Sequence, residues 1–247
     1  MEADERRKLH VLAISGSPRK GGNTAQLLGH ALKIVDGYGI ETEYLDLIGK
    51  RIEGCVSCRH CRLSPVAECA IRDDFAPIFR KVVAADGLIL GTPVYFGRST
   101  GKLTCLLERL GMVAEGRKAI DMPLTDHDWP ASKGPGLYKG KVGGAIVTTR
   151  RTGGNFVLAE LHLWFSILHW IVVNGSYWTV AIGGTRVPDL VGEGTRTTSD
   201  ISKDQLEKDK EGVKAITDFA HAFADTLVRL NSAGKVHGPG ERIGRMS

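Results

Sequence analysis

The sequence predicts a doubly wound α/β fold, in which a five-stranded parallel sheet carries helices on both faces and a cysteine-rich loop is added. Two observations lead there. Short continuous apolar runs alternate along the chain with segments whose apolar residues recur at helical spacing. Most of the apolar runs lead into loops rich in Gly, Pro, Ser or Thr. Such alternation buries a parallel sheet between helices and leaves the ligand crevice beyond the carboxyl ends of the strands.

The elements follow in order. Val11 to Ile14 is a buried strand that enters the loop Ser15-Gly16-Ser17-Pro18, and Ala25, Leu28, Leu32 and Val35 mark a helix starting near Asn23 or Thr24, both good caps. Thr42 to Leu47 is a second strand, and Phe75, Ile78, Phe79, Val82 and Val83 form a helix face behind Asp73 and Asp74. Gly87 to Thr92 is a third strand ending at Pro93, followed by a helix striped with Leu103, Leu106, Leu107 and Leu110. Gly143 to Thr148 is the fourth strand, Asn155 to Val173 a long apolar helix, and Tyr177 to Ile182 the fifth strand. Val213, Ile216, Ala220, Phe223, Leu227 and Leu230 stripe a last helix over about 203–231. Residues 113–140 and 184–202, rich in Gly with Pro and Lys or Thr and Asp, read as insertions in one domain spanning 1–247.

Composition narrows the class. The chain has 247 residues, 42% hydrophobic and 25% charged, which suits one folded domain with a sizeable core. A formal charge of +5 and pI near 9.0 fit a basic docking face as well as nucleic acid, but no helix-turn-helix or zinc-finger pattern accompanies them, so no nucleic-acid partner is expected. The charged start and the short apolar run after it do not form a signal peptide. The longest apolar stretch, Leu161 to Val173, contains His162 and His169 and falls short of the ~20 residues that cross a bilayer, so no membrane partner is expected either. Four of five cysteines fall between positions 55 and 69, a pattern of metal or redox chemistry in a reducing, cytoplasmic setting.

The loop Gly16-Ser17-Pro18-Arg19-Lys20-Gly21-Gly22-Asn23-Thr24 joins a strand to a helix and gathers hydroxyls, backbone N–H groups and a cation, the makings of an anion site. It is not a Walker loop, because Gly22 and Asn23 stand where Lys and Ser/Thr belong, and G-x-G-x-x-G is absent. A monophosphate therefore suits it better than a triphosphate or a dinucleotide.

Ser15-Gly16-Ser17-Pro18-Arg19 with Gly22-Asn23-Thr24, and Gly91-Thr92-Pro93-Val94-Tyr95-Phe96-Gly97, resemble the two flavin loops of the NADPH-dependent FMN reductase and flavodoxin-like superfamily. The resemblance runs from about residue 10 to about residue 180 and implies a flavodoxin-like fold with FMN as cofactor. It places the FMN phosphate at Ser15, Ser17, Arg19, Asn23 and Thr24, with Pro18 and Gly22 in the same loop, and the ring at Pro93, Val94, Tyr95, Phe96 and Gly97. A third loop, Thr148 to Gly154, follows another strand; in related flavoproteins a loop here approaches the flavin, so Arg150 or Arg151 would face the reduced ring.

Cys55-x2-Cys58-x2-Cys61-x7-Cys69 is the most specific pattern in the chain. Three cysteines at intervals of three wrap a short segment around one centre, as iron–sulfur clusters require; zinc with His60 as a substitute ligand, or uncoordinated cysteines, are the alternatives. The pattern is similar to the compact cysteine motif of the iron–sulfur flavoproteins within the same superfamily; relatives without a cluster also keep cysteines in this loop, with the same following Asp pair seen here as Asp73-Asp74. That resemblance implies a [4Fe–4S] cluster on Cys55, Cys58, Cys61 and Cys69 beside FMN. Arg59, His60 and Arg62 would attract an acidic donor, whereas Cys105 reads as a small core residue.

The resulting expectation is an oxidoreductase, a homodimer or homotetramer, in which a ferredoxin-type donor feeds single electrons through the cluster to FMN and on to a small-molecule acceptor. A cluster-free NAD(P)H-dependent FMN or quinone reductase is the rival, and a metal-stabilised regulatory module the third reading. No single residue is assigned as catalytic. Asp126, His127 and Trp129 could line a lid, although a surface loop is the plainer reading.

Overall fold

The computed structural model describes residues 8–64, 68–120, 137–183 and 209–232, with residues 116–120 as backbone only. Along the chain run β1 (His10–Ser15), α1 (Asn23–Asp36), β2 (Glu41–Asp46), α2 (His60–Leu63), α3 (Phe75–Ala84) and β3 (Gly87–Pro93). They are followed by α4 (Gly101–Ile120), β4 (Val142–Thr149), α5 (Gly154–Ile167), β5 (Ile171–Val172), β6 (Val180–Ile182) and α6 (Lys210–Ser232).

Among the described residues these strands pair in parallel, in the order β2-β1-β3-β4-β5, with β6 also pairing with β4. Both β5 and β6 lie along β4, one opposite Val142 and Gly143, the other opposite Val147 to Thr149, so the fifth position of the sheet is split between two short strands. The order reverses between β1 and β3, and that reversal opens a crevice at the carboxyl ends of the two strands.

Strand residues alternate between two cores, as a pleat with both faces buried demands. Val11, Ala13, Ile89 and Ile146 pack with Leu27, Leu28 and Val35 of α1 and with Phe219 and Phe223 of α6. Leu12, Ile14, Leu88, Leu90 and Val147 face the other way, onto Ile78 of α3, Leu106 and Leu110 of α4 and Leu161 and Phe165 of α5. Among the described residues no helix is long and apolar enough to cross a membrane.

Several expectations need correction. The apolar run Asn155 to Val173 is not one helix: α5 stops at Ile167, where His169 takes a left-handed φ of 62° and its N–H bonds the Ser166 carbonyl. Ile171 and Val172 then join the sheet as β5. Uniformly apolar sequence cannot distinguish a buried helix from a buried strand, and here the free edge of β4 decides. The strand expected over Tyr177 to Ile182 is shorter: β6 begins at Val180, and just before it the Thr179 carbonyl accepts the Val147 N–H. Residues 113–120, expected in an insertion, continue α4. Asn23 and Thr24 lie inside α1, with Gly22 at the cap position. The proposed lid residues Asp126, His127 and Trp129, the segment 184–202 and the first residues of the expected C-terminal helix, 203–208, lie outside the described residues.

Candidate functional site

The crevice between β1 and β3 is assembled by hydrogen bonds that join their loops. Gly16 N–H donates to the Gly91 carbonyl at 2.8 Å, and the Thr100 hydroxyl donates to the Gly16 carbonyl at 2.8 Å. Close packing requires glycine here: a Cβ on Gly91 would lie 2.5 Å from Leu28 Cδ1, and one on Gly16 would lie 2.8 Å from Thr100 Oγ1. Ser15, Ser17 and Thr24 are buried, at 1%, 5% and 2% exposure, so three hydroxyls surround the loop without being solvated. Ser17 N–H bonds Ser15 Oγ and Arg19 N–H bonds Ser17 Oγ, which curls the chain back on itself. Gly22, at the start of α1, supplies no side-chain cap, and Gln26 Nε2 ties the helix to the Gly21 carbonyl. A helix N-terminus without a side-chain cap, ringed by hydroxyls, attracts anions. Pro18 and Arg19 are exposed at its rim, and Asn23 lies against Gly183 at the end of β6.

The loop after β3 folds into a tight hairpin. Tyr95 and Arg98 exchange backbone hydrogen bonds of 2.9 and 3.1 Å, while Phe96 and Gly97 at its tip take φ of 51° and 78°. Positive φ at both central residues suits Asn-Gly and strains a phenylalanine. The strained side chain is wholly solvent-facing at 107% exposure, beside a half-exposed Tyr95. Pro93 and Val94 are half-buried beneath the hairpin, and the Val94 N–H donates to the Thr148 carbonyl of β4 at 2.9 Å. Gly153, in the loop after β4, sits against Val94 and Gly97, so the three loops form one rim.

Beyond the third loop lies an open cleft of about 480 Å³, lined by Arg151, Asn155, Phe156, Tyr177, Trp178 and Asp209 among others. Arg151 borders this cleft, and Arg150 is exposed and is not among its lining residues.

The structure brings Cys55, Cys58, Cys61 and Cys69 to one small pocket, together with Val56, Ile71, Met112 and Val113. Its free volume is about 20 Å³, and among the described residues no three Cys, His, Asp or Glu donors stand in an arrangement that holds a metal ion. To hold a cluster, the four thiols would have to spread. Burial, and then charge on Cys69, Cys55 and Cys58, pushes the Cys61 thiol up. Four thiolates in one apolar pocket repel one another, and a cation among them removes that cost, so the donor set suits a thiolate-bound cluster. Ser57 and Arg59, on either side of Cys58, take left-handed φ of 53° and 59°; this turns the loop sharply enough to bring the three cysteines to one side.

A buried ion pair holds this loop. Arg109 of α4 donates to Asp73 Oδ2 at 2.6 Å and to the carbonyls of Glu53 and Ile71, with its guanidinium over the Phe75 ring. The two side chains are 1% and 0% exposed. Asp73 also accepts the N–H groups of Glu53 and Phe75, and Asp74 that of Arg51, so the Asp pair clasps the start of the loop to its return. Burial pushes the Asp73 carboxyl up, but the bonds from Arg109, Glu53 and Phe75 outweigh it and hold the carboxyl below its ordinary range. Further along α4, Glu108 accepts the Cys55 N–H, and the Met112 carbonyl accepts the Cys61 thiol.

Several of these residues carry no motif. Thr100, Glu108 and Arg109 act through contacts 36 to 84 positions distant in sequence. Asp73-Asp74 was the single signal that could have led to Arg109, since a carboxylate that becomes buried needs a cation.

Residues 9–185 match the NADPH-dependent FMN reductase family. The chain is 34% identical over 187 residues to an iron–sulfur flavoprotein of Methanocaldococcus jannaschii, covering 75% of this chain and 86% of that one. Among solved structures it resembles RosB with bound intermediate 8-demethyl-8-formylriboflavin-5'-phosphate, at TM-score 0.62 and 19% identity, over 91% of this chain and 81% of that one. It also resembles a flavodoxin, WrbA-like protein from Agrobacterium tumefaciens, at TM-score 0.51 and 12% identity, over 90% of this chain and 99% of that one. The fold is flavodoxin-like.

Proposed function

The chain belongs to the NADPH-dependent FMN reductase family, among its iron–sulfur flavoproteins, and from that premise we propose that this flavoprotein oxidoreductase links a one-electron donor to a two-electron reaction through FMN and a [4Fe–4S] cluster. When bound, FMN supplies a two-electron carrier and the cluster a one-electron port.

The observation that carries the reading is the pairing, in one domain, of an uncapped helix terminus ringed by buried hydroxyls with a pocket lined by four thiols. Ser15, Ser17, Asn23 and Thr24 hold the phosphate through hydroxyls, the Asn23 amide and the N–H groups of α1, with Arg19 at the rim and Pro18 and Gly22 shaping the turn. Pro93 and Val94 form the floor under the ring, while Tyr95, Phe96 and Gly97 form the hairpin that covers it; the strain at Phe96 keeps an aromatic face free of its own core. Arg151, rather than Arg150, borders the neighbouring cleft and is the better placed of the two to balance charge there. Cys55, Cys58, Cys61 and Cys69 hold the cluster, and Arg59 and His60, exposed beside them, offer a basic approach to an acidic donor of the ferredoxin kind. The outward Phe156, Leu163 and Ile167 of α5 give a homodimer or homotetramer an apolar face to cover.

The narrowness of the thiol pocket favours a second reading, a cluster-free reductase using NAD(P)H as donor. Anaerobically purified protein separates them. Flavin with iron and acid-labile sulfide, bleached by reduced ferredoxin, is the expected result. Flavin without iron, bleached by NADPH, overturns the cluster.

A further inference from the structure

We propose that Arg109 is a positioning residue for the cysteine site, directing a fixed, buried hydrogen-bonding cation at the sulfur cage so that the cluster is retained and its reduction made easier. The inference rests on Cys55, Cys58, Cys61 and Cys69 being the ligands.

Anchoring the loop accounts for part of the guanidinium. One terminal nitrogen serves Asp73 and the Glu53 carbonyl, and the other serves the Ile71 carbonyl. A guanidinium has five N–H donors, and these three bonds leave two. The side chain also lines the thiol pocket beside Cys69, and its Nε is buried without a hydrogen-bond partner. An orphaned donor on a side chain 1% exposed is costly and uncommon in a purely structural pair. A buried ion pair is also weak as a stabilising device, since apolar replacements of similar volume often do as well. What a Leu or Met in its place could not do is present N–H groups to sulfur.

The electrostatics point the same way. A thiolate-ligated cluster is anionic, and one electron arriving from a one-electron donor adds one unit of negative charge. A cation and N–H···S bonds favour that reduced form and raise the potential. Arg59 and His60 are exposed, so water and salt screen them; Arg109 is buried, and Asp73 fixes its orientation while its own charge is taken up by three donors.

The test compares anaerobically purified wild type, Arg109→Lys, and the double variant Asp73→Asn with Arg109→Gln, which replaces the ion pair by an amide pair. Iron and sulfide content, the rate of iron loss to a chelator and the cluster's midpoint potential are measured beside thermal melting. The double variant is expected to lose iron on the order of tenfold faster and to shift to a more negative potential. Arg109→Lys keeps the charge but not the fork; it is expected to hold a potential nearer wild type while losing iron faster. Unchanged potential and iron-loss rate in a folded double variant overturn the proposal, and if that variant does not fold, an unchanged iron-loss rate in Arg109→Lys does so. Wild type devoid of iron and sulfide overturns the ligand reading and this inference with it, whereas a cluster indifferent to both variants overturns this inference alone.

Discussion

The crevice at the strand ends and the cysteine loop are both irregular backbone with left-handed residues at their tips, yet they are held in different ways. The crevice hangs from three adjacent strands and is tied by many neutral contacts, from Gly16 N–H on Gly91 to Thr24 on Thr148 at 2.8 Å. Removal of any one leaves the others. The cysteine loop lies outside the sheet and is hung from one helix, with its load concentrated on Arg109 and Asp73. The two sites should therefore fail differently, the first by degrees and the second at a single point.

The largest expected effect is accordingly at that point. Arg109→Met leaves the Asp73 carboxylate buried and unpaired and should lower stability by about 3–5 kcal/mol in chemical denaturation. Asp73 is held below its ordinary range in the fold, so its contribution is complete above the unfolded carboxylate value near ~4 and is lost as pH falls below it. Wild type should therefore lose stability more steeply than Asp73→Asn as pH falls below about 4, and equal acid slopes would count against a single-point failure. Next in size, Gly91→Ala forces a Cβ against Leu28 and should cost about 1–3 kcal/mol, while flavin content falls and iron content does not. Thr100→Val removes the bond to the Gly16 carbonyl and should cost about 1 kcal/mol, read from the shift in denaturation midpoint. The smallest is at Phe96, where glycine relieves the positive φ and should leave melting nearly unchanged. Flavin should then bind more weakly by about 0.5–1.5 kcal/mol, the worth of one aromatic contact, measured by fluorescence titration.

How much of this was legible in the sequence follows the same division. The strands β1, β3 and β4 and the loops after them were readable, because a buried parallel strand leaves a continuous apolar run and its loop must carry Gly, Ser or Thr. The grouping of four cysteines was readable from spacing. Leu168 to Val172 was not, since a helix end and a new strand share one apolar composition and only the open edge of β4 distinguishes them. Nor was Arg109: between Leu106, Leu107 and Leu110 it reads as a solvated charge at the border of a helix stripe, and its partner lies 36 residues earlier. Charges that bury in pairs are chosen by tertiary neighbours, which local pattern does not record.

The split of the fifth sheet position bears on how the molecule avoids its own kind. An uninterrupted outer strand offers unpaired backbone to any other exposed strand and so seeds aggregation. At this border two short strands meet β4 at separate places, with Asn174 to Thr179 between them, so a foreign strand finds no long register to copy. At the opposite border β2 carries Glu41, Glu43 and Asp46, with Glu43 paired to Lys81 at 2.5 Å. One border is broken and the other charged, which guards a sheet whose interior strands are almost wholly apolar against joining its neighbours during folding.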